Sequence, residues 1–411
     1  MVKSSVPDRL PHHRPEQIVA AAREVARGLA ERADEHDRQG TYAAENIDAI
    51  WEAGLGNVNL PVELGGLGAT LVTTAAVVEA LAAGDPSTAL IYVMHIAHLE
   101  ALIDPRGAWP AHLRERIIAD SLAGPALINV LNVEPELGTP SRGGIPATVA
   151  RRAQGSGGQP VWRVSGHKIY STGSHGLRWM MVLGATEADD PQGQRVGTLL
   201  IPGDAPGIEI IETWDHLGMR ASASHDVVFH EVEIPFDHAV DLQPAGSRST
   251  SGRPAASHSE WTNTLILAVY LGVAKAGRDW LAGYLNERIP TNLGAPLASL
   301  PRFQAAMGEI QALIFTADSL VGQLYEQFDA GGESAAEAAR RGPLVKVVVT
   351  GNVIKALEIG LALIGNPGLS YHHPLQRHYR NALCSRIHTP QDDVALTAAG
   401  RAILNAGGAA S

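Results

Sequence analysis

The sequence predicts a mainly helical α+β chain in which a strand-rich middle segment lies between two helical ones. Three observations carry this. Apolar residues recur at helical spacing up to about residue 126; from 127 to about 243 the period changes to short Val, Ile, Trp and Thr runs bounded by Gly, Pro, Asp and Asn; and beyond 244 long Ala- and Leu-rich helical periodicity returns. Strands placed between two helical regions of one chain point to a composite unit rather than separate beads.

In the N-terminal helical domain (1–126), Ile18, Val19, Ala22, Val25, Ala26 and Leu29 share one face. A second helix starts at Thr41 and Tyr42 and presents Ile47, Ile50 and Trp51, and the spans 73–83 and 87–102 continue the pattern. Pro61 with Gly65-Gly66, and Asp85-Pro86, are turn signals. The middle β-domain (127–243), a barrel or sandwich, reads as strands at 161–164, 179–184, 197–201, 208–211 and 226–229, with a turn over 154–160. Residues 244–259, rich in Ser, Gly, Pro and Arg, read as a loop. The C-terminal region (244–411) then becomes a four-helix bundle over 260–330, 334–364 and 374–408.

Composition narrows the function class. A chain of 411 residues with 45% hydrophobic and 18% charged residues is a folded protein too long for one ordinary core. The net charge of −11 argues against a nucleic-acid partner. Cys384 is the single cysteine, so a reducing, cytoplasmic setting is expected. Residues 1–15 have no apolar stretch of signal-peptide type, and the longest apolar run, 265–274, is shorter than the ~20 residues a bilayer needs, so no membrane role is expected.

Four segments in order carry a family likeness: Pro61-Val-Glu-Leu-Gly-Gly-Leu-Gly68 with Asp85-Pro-Ser-Thr-Ala-Leu90; Glu134-Pro135 with Gly138-Thr139; Ser165-Gly-His-Lys-Ile-Tyr-Ser-Thr172; and Leu217-Gly-Met-Arg220 with Ser222 and Ile234-Pro235. Together they resemble the acyl-CoA dehydrogenase superfamily over nearly the whole chain. The resemblance implies a helical domain, a β-domain and a four-helix bundle, a homotetramer, and a flavin between β-domain and bundle. By that likeness Asn132, Val133, Gly138 and Thr139 offer groups to the flavin edge. Tyr170, Ser171 and Thr172 lie by its reactive nitrogen, Arg288 meets a phosphate, and Gly365, Asn366 and Gln391 complete the cofactor contacts. For each hydroxyl, strand-edge filling is the plainer alternative.

Two departures from the pattern matter. After Arg288 the family's Gln-Phe-Gly is replaced by Ile289-Pro-Thr-Asn-Leu-Gly-Ala-Pro296, and the family's Gly-Gly pair reads Gly365-Asn366, which leaves FMN and FAD both open. The family's catalytic glutamate position falls on Thr389, and its alternative site falls near Thr262, two residues from Glu260. Arg377-His-Tyr-Arg380-Asn381 and His388-Thr-Pro390 are instead similar to the flavin monooxygenase branch, typified by dibenzothiophene monooxygenase. That likeness implies a two-component enzyme. It takes reduced flavin as co-substrate from a separate reductase and forms a C4a-(hydro)peroxyflavin with O2, which acts on a small organic substrate.

Histidine suits such a site because it exchanges a proton near neutral pH. His388 is the first candidate, Thr172 a second group, and His95 or His98, which share a helix face, a third. Either of the latter pair could equally be a satisfied core histidine. His372 and His373 read as turn residues. No carboxylate or cysteine stands at ligand spacing, so no metal site is expected. The alternative functions are an acyl-CoA dehydrogenase whose base is displaced to Glu260, and a non-catalytic member that kept the fold.

Overall fold

Helix α1 (Pro15–Gln39) opens on Pro15 at its first turn and closes on Gly40, whose φ of 69° turns its amide back to the His36 carbonyl. It belongs to a computed structural model that describes residues 14–104, 107, 109–137, 144–246 and 256–406, with the side chains of 256–260 and 406 excepted. The expected cofactor contacts Gly138 and Thr139 lie outside the described residues, as does the side chain of Glu260.

The N-terminal region continues with α2 (Ala44–Glu52), α3 (Leu71–Gly84), α4 (Pro86–Ile103) and α5 (Ala111–Ala123). Helix α2 begins two residues later than Thr41-Tyr42 suggests. The Asp85-Pro86 pair joins α3 to α4, with the Asp85 carboxylate capping the amides of Ser87 and Thr88.

Eight strands follow: β1 (Leu127–Leu131), β2 (Val149–Gln154), β3 (Pro160–Ser171), β4 (Leu177–Thr186), β5 (Arg195–Pro202), β6 (Ile208–Ile211), β7 (His225–Pro235) and β8 (Ala239–Pro244). They form one connected sheet in the order β6-β7-β3-β2-β4-β5-β8, with β1 parallel to β4. Strands β1, β2 and β8 escape the sequence pattern. In β2, Arg151 and Arg152 occupy consecutive positions and mask the alternation.

The last region holds α6 (Ala256–Glu287), α7 (Pro301–Ala330), α8 (Gly332–Ile364), the short α9 (Asn366–Leu369), α10 (Pro374–Leu383) and α11 (Asp392–Ala406). Residues 256–259, expected in a loop, are helical.

One core runs through both helical regions, from Ile18 and Leu29 of α1 through Val78 and Val93 to Leu267, Ile314, Val353 and Leu375. The close approach of α3 and α6 depends on Gly272, where a Cβ would lie 2.4 Å from the Glu79 carbonyl oxygen. A second core fills the β-domain around Trp162, Val164 and Phe229 and takes in Ile47 of α2 and Ile91 of α4. Shared cores of this kind make the chain one composite body.

The longest unbroken apolar run is not the whole membrane criterion. Helices α4 and α8 are each long and apolar enough to cross a bilayer, although His95, His98 and Glu100 interrupt the first. Most of α4 is buried between α6 and β1, which makes it a core helix, whereas α8 pairs with α7 and keeps one apolar face outside.

Candidate active site at the β3 end and the α10–α11 connection

Strand β3 ends in a cluster of hydroxyls. The Lys168 ammonium, fully buried, donates to Glu134 Oε1 and to the Leu183 carbonyl, both at 2.6 Å. Glu134 also accepts from the Thr148 hydroxyl at 2.6 Å and from the Ala147 amide at 2.7 Å. Burial pushes this carboxyl up, but bonds from Lys168 and Thr148 and the Lys168 charge outweigh it, and the net shift is downward. The pair thus pins the 132–134 segment to β3, and the Ile169 amide reaches the Val133 carbonyl at 3.0 Å.

Tyr170 adopts φ 58°, a left-handed conformation that costs a bulky residue about 1–3 kcal/mol. This turns its ring outward, 56% exposed, edge-on to Trp214 and His216, which stack on each other 3.6 Å apart. Ser171 Oγ is buried with no hydrogen-bond partner among the described residues. Thr172 Oγ1 lies 3.0 Å from Ser224 Oγ, which lies 2.8 Å from Ser222 Oγ, and Asn129 Nδ2 donates to the Thr172 carbonyl at 2.9 Å. An orphaned buried hydroxyl, a second anchored one and an exposed aromatic wall suit a flat ring system with a polar edge.

The loop carrying Ser222 and Ser224 is held from the bundle. The Met219 amide donates to Asn381 Oδ1 at 2.7 Å, and a Cβ at Gly218 would stand 2.3 Å from the Arg380 carbonyl oxygen. Arg220 Nε donates to the Asp37 carbonyl at 2.7 Å.

His388 follows α10, and its Nε2 lies 2.7 Å from the hydroxyl oxygen of the fully buried Tyr270 of α6. Burial pulls its pKa down to about 4, assisted by the Lys346 charge. Lys346, itself buried, bonds to Asp392 at 2.8 Å and to the Arg386 carbonyl at 3.4 Å, so it ties down both sides of His388. Gln391 sits between them, and its carbonyl accepts the Ala395 amide at the start of α11.

His95 and His98 both lie on the buried side of α4. His95 Nδ1 accepts the Ile128 amide, Nε2 meets Ser121 Oγ, both at 3.3 Å, and the ring leans on Trp51. Burial drives its pKa down to about 3. Both of its nitrogens are thus engaged by neighbouring protein groups, as a satisfied core histidine requires.

The remaining expected cofactor residues stand elsewhere. Arg288 is exposed just past the end of α6, eighteen residues beyond Tyr270, which is about 27 Å along a helix. Gly365 caps the end of α8, Asn366 begins α9, and with Tyr379 they border a shallow depression of about 330 Å³. Helices α6 and α8 run side by side, Gly277 against Leu357 and Gly360 against Leu281, so these residues share the end of the bundle away from Tyr270. Within one chain the structure does not bring Arg288, Gly365 and Asn366 to the Tyr270–His388 pair.

Fully buried carboxylates, the natural candidates for a displaced base, are all occupied among the described residues. Asp37 pairs with Arg380, Asp85 caps α4, Glu134 holds Lys168, and Asp190 holds Arg152 and Arg195. Glu100, half-buried on α4 and pushed up to about 6 by burial, accepts from Asn59 at 3.4 Å.

Sequence reasoning missed Asn129, Ser224, Tyr270 and Lys346. The signal for the last two was present: each is a lone polar group inside an apolar helical run, Leu265–Ala274 for the tyrosine and 343–349 for the lysine.

Comparison with known proteins agrees with this architecture. The acyl-CoA dehydrogenase N-terminal domain matches residues 13–107, the middle domain 134–232 and the C-terminal domain 264–392. The putative acyl-CoA dehydrogenase YdbM of Bacillus subtilis is 30% identical over 90% of this chain and 92% of its own. L-evernosamine nitrososynthase of a Micromonospora species is 27% identical over 87% of this chain and 82% of its own. Among solved structures, KijD3 in complex with FMN and an amino-keto sugar nucleotide superposes with a TM-score of 0.79 at 25% identity, covering 98% of this chain and 96% of that one. TdsC of Paenibacillus sp. A11-2, with FMN and indole, reaches 0.83 at 21% identity, covering 95% and 97%.

Proposed function

Since the chain belongs to the acyl-CoA dehydrogenase superfamily and is a flavin-dependent oxidoreductase using FMN or FAD, we propose that it is a two-component monooxygenase. It takes reduced flavin from a separate reductase and uses O2 on a small organic substrate. The observation that supports the reading is the Tyr270–His388 pair, beside Thr389, the position at which the family's sequence pattern carries a carboxylate base, while every fully buried carboxylate among the described residues is committed to another partner.

Reduced flavin, when bound, supplies two electrons to dioxygen. The chain's own groups do the rest. Asn132, the Val133 amide, Gly138, Thr139, Tyr170, Ser171 and Thr172 hold and orient the ring system, with Thr172 fixed through Ser224 and Asn129. His388, uncharged at neutral pH because burial disfavours the imidazolium, exchanges a proton at one ring nitrogen. A reactive oxygenated species requires that water be kept out, toward which the buried Ser171 and Tyr270 contribute. Arg288, Gly365 and Asn366 serve a neighbouring protomer's cofactor in a homotetramer. The apolar side chains of Phe315, Leu344 and Val348 left exposed on α7 and α8 support that assembly. The nitrososynthases and the FMN- and indole-bound TdsC direct the choice of substrate toward an amine or a small aromatic heterocycle. The single thiol supports a cytoplasmic setting.

The identity to YdbM favours a second reading, α,β-dehydrogenation of an acyl thioester with Glu260 as base. One experiment separates the two. The protein is loaded with oxidised FMN or FAD and mixed anaerobically with short- and medium-chain acyl-CoA. The oxygenase reading predicts that the flavin colour persists; rapid bleaching that Glu260→Gln abolishes would establish the dehydrogenase.

A further inference from the structure

Tyr270 is 0% exposed, in the middle of the apolar Leu265–Ala274 stretch of α6. A phenol at such a depth needs a partner for its proton. Among the described residues that partner is His388 Nε2, 2.7 Å away. The pair has two possible proton arrangements, and they differ in cost. If Nε2–H donated to the phenol oxygen, the phenol's own proton would point into the aliphatic core without an acceptor, a loss of about 1–3 kcal/mol. If the phenol donates, both groups are satisfied and the single proton of the neutral imidazole must sit on Nδ1.

The surroundings keep both partners neutral. Burial raises the phenol well above its ordinary range and pulls the imidazole down to about 4. Cys384, beside Tyr270, is held as a thiol by burial, which pushes it up to about 11. From α8 the Lys346 charge disfavours an imidazolium, and Asp392 of α11 balances that charge. The same lysine fixes the backbone on either side of His388.

We propose that Tyr270 is a positioning residue: by donating to His388 Nε2 it locks the imidazole in its Nδ1–H tautomer, making Nδ1–H the donor that His388 presents to the reacting site. The catalytic use of that donor rests on the oxygenase reading above; the tautomer does not. Lys346 keeps the ring in place by holding its segment.

The test is solid-state NMR of the full-length protein labelled with 15N-histidine, with oxidised flavin bound and no substrate. His388→Gln assigns the signals by difference, and His388→Asn serves if that variant fails to fold. The wild type is expected to show His388 protonated on Nδ1 with Nε2 as acceptor. Tyr270→Phe is expected to shift it toward the Nε2–H form that unconstrained imidazoles prefer. In that variant, with flavin affinity unchanged, the product formed per flavin oxidised should fall by about tenfold while released peroxide rises. A wild-type His388 carrying its proton on Nε2 overturns the proposal, whether or not Tyr270→Phe folds. The expected tautomer in a protein that forms no oxygenated product would leave the positioning role standing and remove only the oxygenase reading.

Discussion

Asp37 of α1 and Arg380 of α10, 343 residues apart in sequence, face each other in a two-pronged ion pair in which both side chains are nearly buried. Arg380 also donates to the Leu217 carbonyl at 2.7 Å, so the first helix, the site loop and the bundle meet at one guanidinium. Arginine suits that junction because its planar fork satisfies a carboxylate and a carbonyl together.

Breaking this pair by Asp37→Asn or Arg380→Met should destabilise the protein by about 3–5 kcal/mol, because each leaves a buried charge uncompensated. The double variant Asp37→Leu with Arg380→Met should recover part of that loss. Urea unfolding of the three proteins reads this directly, and single variants with unchanged midpoints would remove the junction's role.

The Thr172–Ser224 contact should matter to cofactor affinity more than to folding. Thr172→Val is expected to weaken flavin binding by about tenfold, the worth of one well-placed hydrogen bond, with Ser224→Ala smaller in the same direction. Fluorescence titration with FMN measures both. Equal affinity across wild type and variants would separate the hydroxyl cluster from the cofactor.

Stability should fall steeply with acid. His95 and His378 have pKa values pulled down by burial to about 3 and His388 to about 4, so the unfolded chain binds a proton at each below about pH 6.5 while the folded chain does not. Their contribution is complete above pH 6.5 and is lost as pH falls toward 4. Glu100, raised to about 6, acts oppositely: it stabilises the fold below about 4.5 and loses that as pH rises through 6. For these four groups together, between pH 4.5 and 6 the net is about two protons taken up on unfolding, or about 2.7 kcal/mol per pH unit. His378→Leu should reduce that slope by about one proton, and a slope unaffected by the substitution would contradict the assignment of burial as its source.

Much of this architecture was legible because periodicity reports burial directly. Ile18, Ala22, Ala26 and Leu29 were expected on one face of a helix and are buried there. The hydroxyl cluster at the end of β3 could be located through Ser165–Thr172 because a strand fixes which residues follow one another along an edge. What stayed hidden was long-range. Nothing local to Tyr270 announces a histidine 118 residues away, and nothing near His95 says that Ser121 and Ile128 take up its two nitrogens. Arg288 and Gly365 match the family pattern residue by residue, yet the direction of α6 and α8 carries them to the far end of the bundle.

The most direct test of the central claim is stopped-flow mixing of the protein loaded anaerobically with reduced FMN against oxygenated buffer. Wild type should reoxidise in two resolved phases, the second slow, and His388→Ala should lose the slow one. A single fast phase in the wild type, matching free reduced FMN, would contradict the account.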